Sequence, residues 1–376
     1  MSKFLHYKGV FVLEDRKNKI VVVGNATLDV LVRGTISIEE DSIIIAADGI
    51  VQTFHVEDPP IRAGHKHRVN ENIAQKVRSL WHRIEPGGGG FNSATSIKKI
   101  PSIGADLDLI YMDVSTPDPL IVESLRAHYI QSHFFYQRDV PVNAVIGWRD
   151  DKIVLKGPQL GRVQPDQRLI LEAADLISGS NAILVNSIKD PKYFDEYFRI
   201  SQEQGIPMYM VVTSSLDKDF IFERVLPKTI PILNYDELPN LLGARGDMDE
   251  ESKMQFALET LRQIRKDGIN RDKPIYVTLG KNGAYCAKKD SIIYVGLDPE
   301  YSERVSRAIV SRTASINGAG DSFAAGITAY DTISARRIDL NDLVREASTV
   351  AIRGIGYKGP LPANAFVHKE HKMSSG

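Results

Sequence analysis

The chain has 376 residues, of which 43% are hydrophobic and 25% charged, and its formal net charge at pH 7 is −1. These values are typical of a globular protein with a large core, and a charge near zero creates no field that attracts nucleic acid or anionic membrane. Cys286 is the single cysteine, which excludes an internal disulfide, and no apolar run reaches the roughly 20 residues of a membrane span. We therefore expect a cytoplasmic protein that binds neither nucleic acid nor membranes.

The first predicted element is a strand over Ile20–Val23, a continuous β-branched run that ends at Gly24. Such a run is typical of a parallel strand that helices cover on both faces. Asp29 follows where this strand would leave the sheet, and open α/β sheets bind ligands beyond the carboxyl ends of their strands. Asp29 is therefore either a contact for a substrate hydroxyl or an ordinary turn residue.

Two predicted hairpins interrupt the pattern. The first joins strands at 42–47 and 50–56 through Asp48-Gly49, which is a strong hairpin signal. The second joins strands at 142–148 and 153–155. We expect the two hairpins to pair with each other as a small β-hairpin lid, made of segments 34–83 and 136–156, beside the main sheet.

The remainder of the first insertion is predicted to contain an amphipathic helix, because apolar residues recur there at helical spacing: Ile73, Val77, Leu80, Trp81 and Ile84. The basic loop before this helix, residues 62–68, contains His65 and His67. We expect this loop to be solvated, since it has no further metal ligands at suitable spacing.

Four consecutive glycines, Gly87–Gly90, precede another predicted helix, in which Ala94 and Ile97 continue at helical spacing. Glycine lets the backbone approach a ligand closely, and the Asn92 side chain can both donate and accept hydrogen bonds. A flexible linker is the alternative, but a linker rarely leads straight into an amphipathic helix. The cluster is therefore a candidate ligand-binding turn.

Strands and helices alternate in the second half of the chain. The predicted strands are 182–185, 208–212, 230–233 and 274–279, the helices are 191–204, 236–242, 249–266, 321–330 and 340–353, and a hairpin joins 285–287 to 292–295. This alternation predicts an α/β fold, a three-layer sandwich with a mostly parallel central sheet flanked by helices. Its main domain would comprise residues 1–33, 84–135 and 157–367, followed by a disordered tail at 368–376.

The last motif is Gly318-Ala319-Gly320-Asp321, at the start of a small-residue helix. Glycines there allow successive N–H groups to face one concavity, and the helix N-terminus adds unsatisfied donors and positive dipole charge. A phosphate would bind well at this turn, with the Asp321 carboxylate beside it to accept a proton. The alternative is that Asp321 is only a helix N-cap and that the glycines form only a tight turn.

Five features occur in a characteristic order: Gly24…Asp29, the Gly87–Ala94 cluster, Asn234-Tyr235-Asp236-Glu237, Thr278–Gly283 and Gly318–Asp321. Together they resemble the ribokinase-like (PfkB) family of sugar and nucleoside kinases over most of residues 20–360. The pattern G-G-x-G-x-N-x-A followed by G-A-G-D is fairly specific as an ordered pair, and N-x-x-E lies between them. No Walker A pattern is present, which disfavours a P-loop kinase.

The resemblance implies an ATP-dependent kinase that uses Mg²⁺ and transfers the γ-phosphate to a hydroxyl of a sugar, nucleoside or related small molecule. It also implies a role for each matching residue: Asp321 as catalytic base; Gly318, Ala319 and Gly320 as anion hole; Asp29, Gly88 and Asn92 as substrate contacts; Asn234, Thr278, Gly280 and Gly283 as nucleotide contacts; and Glu237 as the magnesium residue, working with Asn234 through water. The hairpins resemble the family's lid, which implies a homodimer formed through the lid.

Three positions depart from the family's pattern. Ser315-Ile316 replaces a D-T pair whose Asp is linked to a monovalent-cation site, so potassium activation has no support. Thr27 stands where ribokinase has a sugar-binding Asn, and Lys189 falls, by a loose alignment, where ribokinase has an acidic sugar contact. Ribose therefore has no support as the acceptor, and one hypothesis is an acceptor with a negative group that binds Lys189 or the 62–68 loop.

Other functions stay open. A non-catalytic sugar or nucleotide sensor could keep the same fold, and an ADP-dependent sugar kinase could keep the same motifs with another donor. A nicotinamide oxidoreductase is disfavoured, because neither glycine cluster has the strand and the acidic residue of a dinucleotide fingerprint.

Overall fold

The structure is a computed structural model that describes residues 18–32, 34–47, 49–57, 59–61, 66–70, 72–76, 81–101, 103–148, 151–156, 167–186, 191–213, 216–236, 238–242, 248–310, 318–335 and 337–372. Its strands are β1 (Asn18–Gly24), β2 (Thr27–Val32), β3 (Thr35–Ile38), β4 (Ser42–Ala47), β5 (Ile50–His55), β6 (Lys66–Arg68), β7 (Trp81–Gly87), β8 (Leu107–Ser115), β9 (Gln131–Arg138), β10 (Val142–Trp148), β11 (Asp151–Lys156), β12 (Ala182–Asn186), β13 (Met208–Val211), β14 (Ile230–Asn234), β15 (Ile275–Thr278), β16 (Ala284–Lys288), β17 (Ser291–Leu297) and β18 (Phe366–Lys372).

The helices of the described residues are α1 (Ile73–Lys76), α2 (Gly89–Lys98), α3 (Pro119–Ala127), α4 (Gln167–Ile177), α5 (Pro191–Gln204), α6 (Lys218–Phe220), α7 (Leu226–Lys228), α8 (Leu238–Leu241), α9 (Glu250–Lys266), α10 (Pro299–Val310), α11 (Ala319–Ile333) and α12 (Leu340–Gly354). A π-helical turn, Ile221–Val225, joins α6 to α7. The helices predicted from the second half of the sequence are present within a few residues of their expected bounds, apart from the shorter α8.

The central sheet has ten strands in the order β18-β17-β16-β15-β14-β13-β12-β1-β8-β9. Pairing is parallel from β15 through β9, and antiparallel from β15 to β18. The predicted mostly parallel sheet is confirmed. Because the parallel strands run in one direction, the carboxyl ends of β1, β12, β14 and β15 lie at the same edge of the sheet, where ligands of such folds bind.

The central sheet is covered on both faces, as its β-branched strands require. Val21, Val23, Ile183 and Val185 face one core with α4, α5 and α9, whereas Ile20 and its alternate neighbours face a second core with α2, α3, α11 and α12. The predicted three-layer α/β sandwich is thereby confirmed.

A lid made of two further sheets lies beside the main one. Five strands form the order β6-β11-β10-β2-β7, and β3-β4-β5 form a separate sheet that we call the distal sheet. Both predicted hairpins exist, as β4–β5 and β10–β11. They do not pair with each other, because β10 pairs with β2 and the two sheets instead pack face to face through a shared apolar core.

Two expectations about the first insertion are wrong. Within the helix predicted over Ile73–Ile84, the described residues Ile73–Lys76 form α1, but Trp81–Gly87 is a strand paired with β2. Residues 27–32, which precede that insertion, form β2, which pairs with β10 and β7. A few apolar residues in a short window do not distinguish a helix from a strand, and here the pairing of residues 81–87 with β2 decides for a strand. His67 is 3% exposed in β6 rather than part of a solvated loop.

The segment from His368 to Lys372 is not a disordered tail. It belongs to β18, which pairs antiparallel with β17 and closes one edge of the central sheet. Terminal position suggested disorder, but the charged residues of this segment suit an edge strand, where exposed charges disfavour further pairing.

Candidate active site

The glycine motif Gly318–Gly320 begins helix α11. Gly318 is the N-cap residue, in the left-handed region at φ 76°, where a side chain is unfavourable. Ser322 is the first residue whose N–H reaches back to the Gly318 carbonyl, at 2.8 Å. The N–H groups of the first three helical residues, from Ala319 to Asp321, therefore have no partner within the helix, as an anion hole requires.

Asp321 lies in the first turn of α11, and its carboxylate is held between two amides. Asn92 donates to Oδ2 at 3.0 Å, and Asn186 donates to Oδ1 at 2.9 Å. The N-cap is Gly318 and makes no side-chain cap hydrogen bond, so the alternative that Asp321 is only an N-cap is wrong. The carboxylate faces residues from α2 and β12 instead, beside the amides of the helix N-terminus.

Asn92 reaches Asp321 because of the glycine cluster before it. Gly88 caps α2 at φ 92°, and a Cβ on this residue would lie 2.5 Å from the Asn25 carbonyl oxygen. Only glycine allows the backbone at position 88 to lie this close to the loop after β1. Helix α2 therefore begins against the end of β1, and Asn92 follows one turn later. The two glycine motifs, far apart in the sequence, thus meet at the carboxyl edge of the sheet.

Asp29 lies in β2 of the lid, next to the same cluster. Its Oδ1 accepts hydrogen bonds of 2.9 Å from the Thr27 hydroxyl and the Asn143 amide. A Cβ on Gly87 would lie 2.2 Å from the Asp29 Oδ2, so this side chain packs against the backbone immediately before Gly88. A half-buried carboxylate in this position can accept from a ligand hydroxyl.

A buried carboxylate supports the loop between β1 and β2. Asp113 is 2% exposed and accepts from the Ala26 N–H at 2.7 Å, from the Tyr111 hydroxyl at 2.8 Å and from the Ser115 N–H at 3.0 Å. A charge this deep needs several donors to offset its desolvation. Asp113 therefore stabilises the turn that carries the chain from the central sheet into the lid.

The residues predicted to contact the nucleotide form a second group at the ends of β14 and β15. Asn234 pairs with Thr278 in register, and the Tyr235 N–H donates to the Thr278 carbonyl at 3.0 Å. Gly280 and Gly283 both have positive φ, at 60° and 97°. This group lies two to three strands from β12, or roughly 10–15 Å along the sheet edge.

Tyr235 forms one wall of the second group. Burial, followed by the charges of Asp236 and Glu250, raises the pKa of the Tyr235 phenol, which therefore stays neutral. Its ring lies beside Gly280, and a Cβ on that glycine would come within 3.5 Å of the phenol oxygen. Lys253 bonds Asp236 at 2.6 Å and lies over the Tyr235 ring. The group thus combines an exposed turn and a lysine with an aromatic ring that is itself buried.

Several predicted residues lie outside the described part of the chain. These are Glu237, Lys189, Ser315-Ile316 and residues 62–65 of the basic loop. Among the described residues, no group of three or more His, Cys, Asp or Glu side chains is arranged to hold a metal ion. Helices of the same residues are too short or too polar to span a membrane.

Asn186 and Ser93 were not predicted as site residues, yet both bond Asp321. Besides the Asn186 contact, the Ser93 hydroxyl donates to the Asp321 main-chain carbonyl at 3.2 Å. The sequence does contain a signal for Asn186, since it is a polar residue that ends a buried strand at the binding edge of the sheet. Ser93 has no such signal, because nothing local distinguishes it from other serines of a helix.

Comparison with protein families gives a match to the pfkB family carbohydrate kinases over residues 66–362. The chain belongs to this family. Family members are kinases that use ATP, and the chain is accordingly a phosphotransferase with an alcohol group as acceptor, a sugar or nucleoside kinase. Comparison with the sequences of curated proteins gives no match.

Solved structures of the same fold include kinases from three distant organisms. An adenosine kinase from Sinorhizobium meliloti is 17% identical with a TM-score of 0.62, and covers 93% of this chain and 97% of its own. An Anopheles gambiae adenosine kinase is 15% identical with a TM-score of 0.62, covering 90% and 96%. The Giardia lamblia ribokinase is 16% identical with a TM-score of 0.58, covering 91% and 95%. The ribokinase-like fold is thereby confirmed.

Proposed function

We propose that this pfkB-family chain transfers the γ-phosphate of ATP to a hydroxyl of a small sugar, nucleoside or related alcohol, with Asp321 as the catalytic base. The observation that carries the proposal is the hydrogen bond from Asn92 to Asp321, because it joins the acceptor-side glycine cluster to the anion-binding helix terminus. An acceptor held by Asn92 would have its hydroxyl beside a carboxylate and facing a phosphate site.

The proposed transfer needs little covalent chemistry from the protein. Asp321 removes the proton from the acceptor hydroxyl, which attacks the γ-phosphorus, and ADP leaves with the electron pair of the broken bond. The N–H groups of Ala319 and Gly320, which have no partner within the helix, stabilise the charge that spreads over the transferred phosphoryl oxygens. A positioned base of this kind typically accelerates a reaction about 10²–10⁴-fold.

The nucleotide and magnesium roles rest on the second group. We propose that ATP lies along the sheet edge from Thr278, Gly280 and Gly283 towards the N-terminus of α11, a span compatible with a triphosphate. Asn234 has an exposed amide oxygen that already accepts from the Asp236 N–H at 2.9 Å and keeps a second lone pair. Such an oxygen fits Mg²⁺, which takes few protein ligands and keeps several waters. With Glu237, Asn234 would hold the ion, which neutralises phosphate charge when bound.

Acceptor binding is assigned to Asp29, Gly88 and Asn92. Asp29 keeps its Oδ2 beside Gly87, while the Thr27 and Asn143 side chains donate to Oδ1. A neutral polyol suits a single carboxylate of this kind, which accepts from hydroxyl groups. Closure of the lid strand β2 over the acceptor would exclude water and limit hydrolysis of ATP.

The experiment is an assay of ADP production from ATP and magnesium across sugars, sugar phosphates and nucleosides, with the wild type, Asp321→Asn and Asp290→Asn. Asp290 is a matched control, because its side chain is 69% exposed on a turn beyond the site. We expect acceptor-dependent turnover that Asp321→Asn lowers at least a hundredfold while ATP still binds.

Three results would contradict the proposal. If no acceptor in the panel supports turnover, the hypothesis of a non-catalytic sensor is favoured. Turnover with ADP but not ATP would favour an ADP-dependent kinase. Unchanged turnover in Asp321→Asn would remove Asp321 from the chemistry.

A further inference from the structure

Asn186 ends strand β12 and is 1% exposed. Its amide nitrogen donates to the Asp321 Oδ1 at 2.9 Å and to the Ser93 Oγ at 3.0 Å. An amide NH₂ group has two hydrogens, and here both are used. These two acceptors define the orientation of the amide, because the reversed orientation would bring its oxygen against the carboxylate.

Two neighbouring glycines provide the space that the Asn186 residue occupies. A Cβ on Gly89 would lie 2.3 Å from the Asn186 Oδ1, and one on Gly24 would lie 2.4 Å from its main-chain oxygen. Both positions therefore require glycine. Gly89, which has no role in the proposed ligand contacts, is thus explained by the packing of Asn186.

Asn92 contacts the same carboxylate from the other side, at Oδ2, but is only half-buried. It belongs to the first turns of α2, at the proposed acceptor site. A ligand hydroxyl can therefore approach Oδ2 by displacing the Asn92 amide. It cannot approach Oδ1 in this way, because Asn186 is enclosed by Ser93 and the glycines.

We propose that Asn186 is a positioning residue that holds Asp321 throughout the reaction, whereas Asn92 is an exchangeable donor. This inference rests on the proposed function of Asp321. When the acceptor binds, its hydroxyl replaces the Asn92 amide at Oδ2, and the freed amide turns to the acceptor. The acceptor O–H bond then breaks with its proton passing to Oδ2, while the acceptor oxygen bonds to the γ-phosphorus and ADP leaves. Asn186 keeps its bond to Oδ1, so the carboxylate does not rotate as its charge changes.

The two asparagines should therefore affect different kinetic constants. In Asn186→Ala, the carboxylate can rotate away from the acceptor, and we expect kcat to fall about tenfold to a hundredfold with little change in the KM of the acceptor. In Asn92→Ala, we expect the main effect to be a rise in that KM. The acceptor used is the one with the highest turnover in the panel.

Asn186→Asp tests the contact without changing the size of the side chain. Two charged carboxylates in contact repel each other, so the pair should release its last proton at a higher pH than a single carboxylate in this place. We expect the acid limb of the pH–rate profile to move to higher pH and a ¹³C-labelled carboxyl at Asp321 to titrate at higher pH in NMR spectra. A side chain that only fills space would leave both unchanged.

Thermal unfolding and ATP binding of each variant identify loss of fold, and the NMR titration applies to any variant that remains folded. A normal kcat in Asn186→Ala, or an unchanged pH profile and titration in Asn186→Asp, would overturn the inference while wild-type activity stands. An inactive wild type would instead overturn the proposed function, and the inference with it.

Discussion

Gly318 lies against the side chain of Asn92, and a Cβ on the glycine would come within 3.1 Å of the Asn92 Nδ2. The N-terminus of α11 therefore approaches α2 closely, and this approach is possible because Gly318 has no side chain. Gly320, two residues later, is exposed, and outside its own helix backbone a Cβ there would have no atom of the described residues within 4 Å. Glycine at position 318 avoids a clash with Asn92, whereas glycine at position 320 keeps the first turn of the helix open.

This difference predicts opposite effects on stability. Gly318→Ala places a side chain at φ 76° and pushes the Asn92 amide, so we expect the unfolding free energy to fall by about 1–2 kcal/mol. Gly320→Ala should raise it by up to about 1 kcal/mol, because alanine favours the helix. Both variants should lower turnover. Gly318→Ala displaces the Asn92 amide, and the added methyl of Gly320→Ala would enter the proposed phosphate site.

Urea unfolding together with steady-state kinetics checks both variants. Gly326→Ala is the steric control within the same helix, because a Cβ there would lie 2.7 Å from the Ala347 Cα. It should lose stability far from the phosphate site. Normal turnover and ATP affinity in Gly320→Ala would contradict the proposed anion hole.

The outer face of the lid leads to a prediction about assembly. Val30 of β2 and Ile146 of β10 pack against Ile43, Ile45 and Phe54 of the distal sheet, all at most 3% exposed. The apolar face that a second lid could cover is therefore covered within the chain. We expect a monomer in sedimentation velocity experiments, in contrast to the homodimer expected from the sequence.

Two further measurements sharpen this prediction. The exposed Val51 at the tip of the distal sheet offers a control, since Val51→Asp should leave the sedimentation of a monomer unchanged. A dimer with intersubunit cross-links between β2 or β10 of two chains would contradict the covered-face argument.

Buried acidic groups predict a loss of stability in alkali. Burial is the main cause that raises the pKa values of the Cys286 thiol and of the Tyr197 and Tyr276 phenols. Above about pH 8.5 for cysteine and pH 10 for tyrosine, the unfolded chain loses protons that the folded chain keeps. The unfolding free energy should then fall by about 1.4 kcal/mol per pH unit for each such group.

Urea midpoints measured from neutral pH to pH 10.5 give this slope, and Cys286→Ala separates the contributions. Between about pH 8.5 and 9.5, the thiol is the main one of these groups to titrate in the unfolded chain. The variant should therefore lose most of the slope in that interval and keep the slope above pH 10. A wild-type stability that is constant up to pH 10.5 would be inconsistent with protonated buried groups.

Arg265 predicts a large effect far from the site. It is 2% exposed at the end of α9 and donates to four carbonyl oxygens, those of Ile269, Asn270, Lys273 and Ala287. Burial lowers the pKa of its guanidinium, but the ordinary value is so high that the charge remains. Arg265→Met leaves these carbonyls without their donor, and we expect a loss of about 3 kcal/mol.

Arg271→Met is the matched control for this substitution. Its side chain is 57% exposed and pairs with Asp290 at the surface. An exposed pair contributes at most about 1 kcal/mol, so urea unfolding should separate the two variants clearly. Equal losses would mean that the buried contacts of Arg265 are exchanged for water at little cost.

The sequence predicted those parts of the fold whose signals are local. Asp48-Gly49 marks a hairpin whatever surrounds it, and the alternation of β-branched strands with amphipathic helices from residue 182 implies a parallel sheet. The helix predicted over Ile73–Ile84 was wrong from Trp81 onwards, because a few apolar residues in a short window do not exclude a strand and the pairing with β2 decides. The strand at His368–Lys372 was missed because its partner, β17, supplies the hydrogen bonds that its own charged sequence does not suggest.

By itself, the sequence determined the residue types of the site: two flexible glycine turns, a carboxylate after one of them and an amide after the other. Backbone permissiveness and side-chain chemistry belong to each residue, so they can be read locally. Tertiary structure alone decided that Asn186 donates a hydrogen bond to Asp321 and that the distal sheet covers the five-stranded sheet of the lid. Both depend on which strands and helices become neighbours, and this follows from burying apolar surface over the whole chain rather than from any one segment.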